Sequence, residues 1–206
     1  MANLPLLPGP LRERLAQVVD VEGKLPRAID ALAPLDGRQV VLVSFDPDRP
    51  ARQLTELGAH VVPVERLDDA AGMPPCFADA VVSLWTAFRG PSAEELAADA
   101  AAADRLLRPG GRLIVVHDYG RDDVSRLRGD LPEYGLWTRR DGPFLRSGFR
   151  IRVLHCWWTF GSLEEARDFL GVAFGPAGED LASQLRRPRL SYSVALYHRE
   201  RLARGA

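Results

Sequence analysis

LLRPGGRLIVV, from Leu106 to Val116, is the stretch that decides the fold. An alanine-rich run ahead of it carries Leu96, Ala100, Ala103 and Leu107 at helical spacing. Arg108-Pro109-Gly110-Gly111 cannot comfortably continue that helix, because proline lacks an amide hydrogen and glycine has the most backbone freedom to lose. Arg112 to His117 then reads as a strand whose apolar run is continuous rather than alternating, the pattern of a strand covered on both faces. Helix, tight turn and two-sided strand in succession predict an α/β domain.

The segments upstream repeat this pattern. Ser92, with Glu95 three residues later, is placed to cap the alanine-rich helix, and Ala80 to Leu84 reads as the strand before it. Asp68 to Phe77, with Gly72, Pro74 and Pro75, reads as a loop. Further back, Gln39 to Phe45 reads as a buried strand, Pro50 to Leu57 as a helix ended by Gly58, and His60 to Val64 as a second strand. Neighbouring parallel strands need such a crossover, so a βαβ unit is the compact solution. Leu11, Leu15, Val18 and Val19 share one side of a helix that Pro26 interrupts, and residues 1–36 are read as an N-terminal helical cap on a domain spanning 37–206.

Downstream, Tyr119 to Phe149 is rich in charge, proline and glycine and reads as a long excursion with one short helix at Val124 to Leu127, packed through Leu131, Tyr134, Trp137 and Phe144. Arg150 to Trp158 resumes strand character. Ser162 and Glu165 open a helix whose apolar side holds Leu163, Ala166, Phe169 and Leu170. After a break at Gly175 to Gly178 and another helical segment, Leu190 to His198 is the final strand. The order predicts three layers, with a mostly parallel sheet and an antiparallel C-terminal edge.

Composition narrows the function. The 206 residues are 46% hydrophobic and 27% charged, ordinary for a globular chain, and the net charge of -1 gives no general attraction to nucleic acid or anionic membranes. No apolar run approaches the roughly 20 residues that span a bilayer, and no signal-peptide order is present, which predicts a cytoplasmic, non-membrane protein. Cys76 and Cys156 have no metal-ligand spacing around them and read as buried thiols.

The run Leu106 to Val116 resembles the "LkPGGrlvv" turn and strand of class I S-adenosylmethionine-dependent methyltransferases, with Asp79 to Trp85 matching the strand before it. Gly148 to Trp158, Ser162 to Gly171 and Leu190 to Arg199 are similar to that family's last helix and antiparallel strand hairpin. The resemblance covers most of residues 38 to 199 and implies a Rossmann-like methyltransferase fold. It also implies S-adenosylmethionine as cofactor and a small-molecule substrate; Asp46-Pro47-Asp48 has too few ligands to identify a metal site, so no metal is expected.

The resemblance breaks at the glycine-rich cofactor loop. Aligned through Gly58-Ala59-His60-Val61-Val62-Pro63-Val64-Glu65, the three glycine positions hold Ser44, Asp46 and Asp48, and Leu42 stands where the first strand usually has an acid. Glycine lets a ligand approach the backbone closely, whereas aspartate adds bulk and charge. Glu65 matches the acid that ends the family's second strand and would accept hydrogen bonds from ribose hydroxyls. If His60 to Val64 is instead the third strand, Asp68 or Asp69 takes the place of the adenine-side acid.

Trp85, Phe88 and Arg89 follow a strand end, where such sheets open toward ligands. Trp85 joins Ser44, Asp46, Glu65, Asp68 and Asp69 as a candidate cofactor contact, while Phe88, Arg89 and Tyr119 are candidate substrate contacts. His117, Asp118 and Tyr119 are the catalytic candidates: a histidine held by a carboxylate exchanges a proton near neutral pH, although adjacent strand residues point to opposite faces. The same rule separates His155 from Cys156. Arg139, Arg140, Arg146, Arg150, Arg152, Arg186, Arg187 and Arg189 read chiefly as a solvated face or a protein interface, and as an RNA surface only if Tyr134, Trp137 and Phe144 are exposed.

Two functions fit: a divergent methyltransferase, or a catalytically inactive relative serving as a binding or assembly partner. A homodimer is compatible with either.

Overall fold

In the computed structural model, which describes residues 9–90, 92–129 and 131–201, the apolar runs become six strands. They are β1 (Gln39–Val43), β2 (His60–Val64), β3 (Ala78–Leu84), β4 (Leu107–Asp118), β5 (Arg150–Thr159) and β6 (Arg189–Glu200). One sheet joins them in the order β2-β1-β3-β4-β6-β5. Strands β1 to β4 run parallel, and β6 is antiparallel to both β4 and β5, so the expected C-terminal antiparallel edge is present.

The nine helices among the described residues are α1 (Gly9–Val18), α2 (Lys24–Leu32), α3 (Asp48–Glu56), α4 (Ala93–Leu106), α5 (Asp123–Arg128), α6 (Pro132–Thr138), α7 (Pro143–Arg146), α8 (Leu163–Phe174) and α9 (Pro176–Gln184). Alternation along the strands divides the core in two. Val40, Leu42, Val82, Ile114 and Val116 face α1, α2, α3, α5, α8 and α9. Val41, Val43, Val81, Leu113 and Val115 face α4, α6 and α7.

The proline-glycine-glycine turn sits inside β4 rather than before it. Leu107 already pairs with Ala78, and the register to β3 shifts before Arg112 meets Ala80. A Cβ on Gly111 would lie 2.9 Å from Arg108 O and 3.0 Å from Asp79 O, so close strand approach requires that glycine. Ser92 and Ser162 cap their helices as expected, accepting from Glu95 N and Glu165 N.

Other elements depart from expectation. Strand β1 ends at Val43 and α3 begins at Asp48, two residues before Pro50. The long excursion holds three short helices, not one, and two of them begin with a proline whose missing amide costs nothing in a helix's first turn. Cys76 is exposed, in a left-handed turn with φ 57°, while Cys156 is buried. Tyr134, Trp137 and Phe144 are buried against β4 and β6, which removes them as stacking surfaces for RNA.

Candidate functional site

The chain leaves β1 toward β2 on one side and returns through β3 on the other. Strand ends diverge where the order reverses, and the loops part to leave a crevice. A cavity of about 390 Å³ lies there. Ser44, Phe45 and Asp46 line it from the β1–α3 loop, Arg49 from the first turn of α3, Glu65 from the end of β2, and Leu84 and Trp85 from the end of β3. Val19, Leu25 and Ile29 close its far side from the N-terminal helices.

Four of the six expected cofactor contacts therefore meet in one place: Ser44, Asp46, Glu65 and Trp85. Strand β2 pairs directly with β1, from Gln39–His60 to Val43–Val64, and Ser44 N donates to Val64 O at 2.9 Å. That pairing puts His60 to Val64 in the second-strand position and Glu65 beside the loop. Asp68 and Asp69 are elsewhere, in an exposed 3-10 turn where Asp69 accepts from Arg66 N and Asp68 pairs with Arg66. Neither lines the cavity.

The loop also changes how its three substituted positions read. The Ser44 hydroxyl donates to Asp46 O at 3.1 Å, folding that side chain into its own turn. Asp48 is the first residue of α3, where a carboxylate complements the helix dipole, and it does not line the cavity. Only Asp46 presents added charge to the cavity from this loop. Pro47 and Pro50 have no amide hydrogens to offer, so this helix start is poorly equipped to bind a phosphate. Arg49, in the first turn of α3, donates to Val19 O at 3.1 Å and ties that turn to the N-terminal segment. The carboxylates of Asp46 and Glu65 have no hydrogen-bond or ion-pair partner among the described residues, so the cavity favours cations and hydroxyl donors.

The catalytic candidates behave differently. The Asp118 carboxylate is 1% exposed and accepts from Trp85 Nε1 at 2.9 Å, Tyr134 OH at 3.0 Å, Arg128 at 3.1 Å and the Tyr192 hydroxyl. Burial alone would raise its pKa, but Arg128 and the tyrosine hydroxyls hold it below the usual carboxylate range. His117 points to the other face, its ring tilted against Trp137 and Phe144. Its Nε2 lies 3.1 Å from Phe88 O, a carbonyl that only accepts, so the proton resides on Nε2. Burial, reinforced by the Arg89 guanidinium, pushes this imidazole down to about 3. A histidine–aspartate proton relay is thus not assembled: the two side chains occupy opposite faces and neither lines the cavity.

The expected substrate contacts are dispersed as well. Phe88 is fully buried beneath α4 and α7, Arg89 is exposed and donates to Trp85 O at 3.3 Å, and Tyr119 lies half-buried under the Arg121 guanidinium. Sequence reasoning missed Asp20, which lines the cavity while its carboxylate accepts from Lys24 N and Leu25 N at the start of α2. An acid four residues before a helical lysine was the available signal. It also missed Phe45, a large apolar side chain more than half exposed at the cavity.

Among the described residues no helix is long and apolar enough to cross a membrane, and no group of three or more acidic, histidine or cysteine side chains is arranged to hold a metal ion. No family model matches the chain, nor does any curated protein. Solved structures do. A candidate type II methyltransferase from Anaeromyxobacter dehalogenans is similar at TM-score 0.55 and 16% identity, over 88% of this chain and 97% of that one. A candidate methyltransferase from an antibiotic biosynthesis pathway of Anabaena variabilis is similar at TM-score 0.54 and 14% identity, over 89% of this chain and 99% of that one. With its mostly parallel sheet and antiparallel β5–β6 edge, the chain has the Rossmann-like methyltransferase fold.

Proposed function

We propose that the cavity binds S-adenosylmethionine and that the chain is a divergent methyltransferase for a small molecule. The observation that carries this reading is two carboxylates, Asp46 and Glu65, without a partner among the described residues, meeting in a cavity at the reversal point of the sheet. Its volume lies in the range of about 300–1,000 Å³ typical of small-molecule sites.

The residues suit the cofactor in kind. Glu65 offers two acceptor oxygens for ribose hydroxyls, Asp46 supplies negative charge for a sulfonium or ammonium group, and Phe45 and Trp85 supply aromatic walls. When bound, S-adenosylmethionine supplies an electrophilic methyl group on a positively charged sulfur. The chain's own task is then alignment and exclusion of water, for which α1, α2 and Trp85 form the enclosing wall. Methyl transfer needs no acid–base dyad, so the sequestration of His117 and Asp118 does not count against it.

One observation favours the inactive alternative. Phe88, Arg89 and Tyr119 lie outside the cavity, leaving no assembled substrate subsite from that set. Isothermal titration with S-adenosylmethionine and S-adenosylhomocysteine tests the proposal. Binding tighter than about 1 mM is expected, and a folded sample that binds neither at that level rules out a cofactor-dependent enzyme. Binding without methyl transfer to any of a panel of small-molecule acceptors would favour the inactive reading.

A further inference from the structure

The two edges of the sheet differ. Strand β2 has five residues and carries Pro63, which lacks an amide donor, so that edge offers little to a pairing chain. Strand β5 has ten residues and no proline. Asp20 N donates to Trp157 O at 3.2 Å and Lys24 Nζ to His155 O at 3.1 Å. Main-chain groups alternate in direction along a strand, so the odd-numbered residues of β5 point away from β6.

Half of this edge is already used. Val19 bridges Trp158 in antiparallel fashion, so the chain lays its own Val19–Asp20 segment along the end nearer Thr159. At the other end Ile151 and Val153 turn their amides and carbonyls outward, with no main-chain partner among the described residues.

The side chains give this open half a sign. Arg150 and Arg152 are exposed, two residues apart and therefore on one face, and neither has an ion pair among the described residues. His198 pairs with Arg150 across the sheet, and on its far side lies Ile114, two residues from Arg112. Burial lowers the His198 pKa first, and the charges of Arg112, Arg150 and Arg152 lower it further, as cations near one face of neighbouring strands should. Glu200, bonded to Arg112 at 3.1 Å, is the acid paired within this group. In a chain of net charge -1 this is a local positive surface beside an open strand edge.

We propose that Arg150 to Leu154 docks an extended acidic segment of a partner protein by strand addition, its main chain pairing with Ile151 and Val153 and its carboxylates meeting Arg150 and Arg152. Strand addition draws affinity from backbone bonds and selectivity from alternate side chains, and both elements are present. A nucleic acid would use the arginines but not the amides, and Tyr134, Trp137 and Phe144 are buried away from stacking.

The test is fluorescence anisotropy with a labelled peptide of about eight residues, long enough for a strand, alternating glutamate and valine. Its lysine–valine analogue and a single-stranded oligonucleotide are run beside it. We expect the acidic peptide to bind with Kd below about 100 μM and the lysine peptide to show no binding. Arg150→Glu with Arg152→Glu should weaken binding by about tenfold or more. Methylating the amide nitrogens of the peptide should do the same without altering the protein, and Val153→Pro supplies the matching change on the strand. Absence of acidic-peptide binding, an unchanged Kd for the N-methylated peptide, or tighter binding of the oligonucleotide each overturns the proposal.

Discussion

At the ends of β1 and β2, Asp46 and Glu65 face a cavity with no hydrogen-bond or ion-pair partner among the described residues, whereas at the end of β4 Asp118 is enclosed and bonded by donors from four separate places in the chain. Both regions are acidic and both lie where parallel strands end. The difference is saturation. A carboxylate whose acceptor sites are already filled by Trp85, Arg128, Tyr134 and Tyr192 is a tie between elements, while one with open lone pairs and access to water is a place for a ligand. Position at a strand end therefore does not make a group chemically available.

The sharpest way to break this contrast is Asp118→Ala. Removing the carboxylate strands the Arg128 guanidinium, whose side chain is 7% exposed, and leaves three other buried donors unpaired. We expect a loss of about 3–5 kcal/mol in urea unfolding. A loss below about 1 kcal/mol would mean that the cluster is no structural tie.

Acid should act on the enclosed region next. His117 titrates at about 3 in the folded chain but near 6.5 when unfolded, so between those values the unfolded state binds more protons. Its contribution is full above about 6.5 and falls as pH drops toward 3, by up to about 1.4 kcal/mol per pH unit. Asp118, held low, adds a loss of the same sign below the ordinary carboxylate value near 3.9. Asp122, raised first by burial, works in the opposite sense. Urea midpoints from pH 7.5 to 4.5 should therefore fall for the wild type and fall less steeply for His117→Gln. Parallel slopes would remove the buried neutral imidazole from the account.

The open region should respond in affinity rather than stability. Glu65→Ala should weaken S-adenosylmethionine by about tenfold, some 1.4 kcal/mol, with unfolding changed by less than about 0.5 kcal/mol. Calorimetry with an unchanged Kd would remove Glu65 from the site. Asp46→Asn keeps shape and removes charge, and its expected effect is smallest, about threefold weaker binding of a cationic ligand. Tighter binding would show that the aspartate obstructs the ligand instead of attracting it.

Much of the scaffold could be read from local signals. Ser92 and Ser162 announced their helices through the spacing to Glu95 and Glu165, and the uninterrupted apolar run of Arg112 to His117 announced a strand with both faces covered. Ser44, Asp46, Glu65 and Trp85 could be placed near one another because strand ends and resemblance agreed. The Asp118 cluster was not legible, since its donors lie 33 residues before it and 10, 16 and 74 residues after it. No periodicity links such positions. Asp68 and Asp69 were misplaced because composition cannot say whether one strand or two stand between the first loop and Asp79; the direct pairing of β1 with β2 decides it. Cys76 was misjudged because residue type reports average burial, while its position in a left-handed turn carries it to the surface.

The wall that α1 and α2 give the cavity has a consequence for the order of assembly. Val19, Leu25 and Ile29 are made early, but the segment that holds them is fastened to residues made late: Val19 and Asp20 to Trp158 and Trp157, Lys24 to His155, and Arg14 to Asp168. During synthesis β1, α3, β2 and β3 emerge well before these anchors, so the far side of the crevice is at first held only by early contacts such as Arg49 to Val19 O and the packing of Leu25 and Ile29 with Leu42 and Leu54. The cavity is completed only after β5 and α8 have formed, which makes binding competence a report on the whole chain.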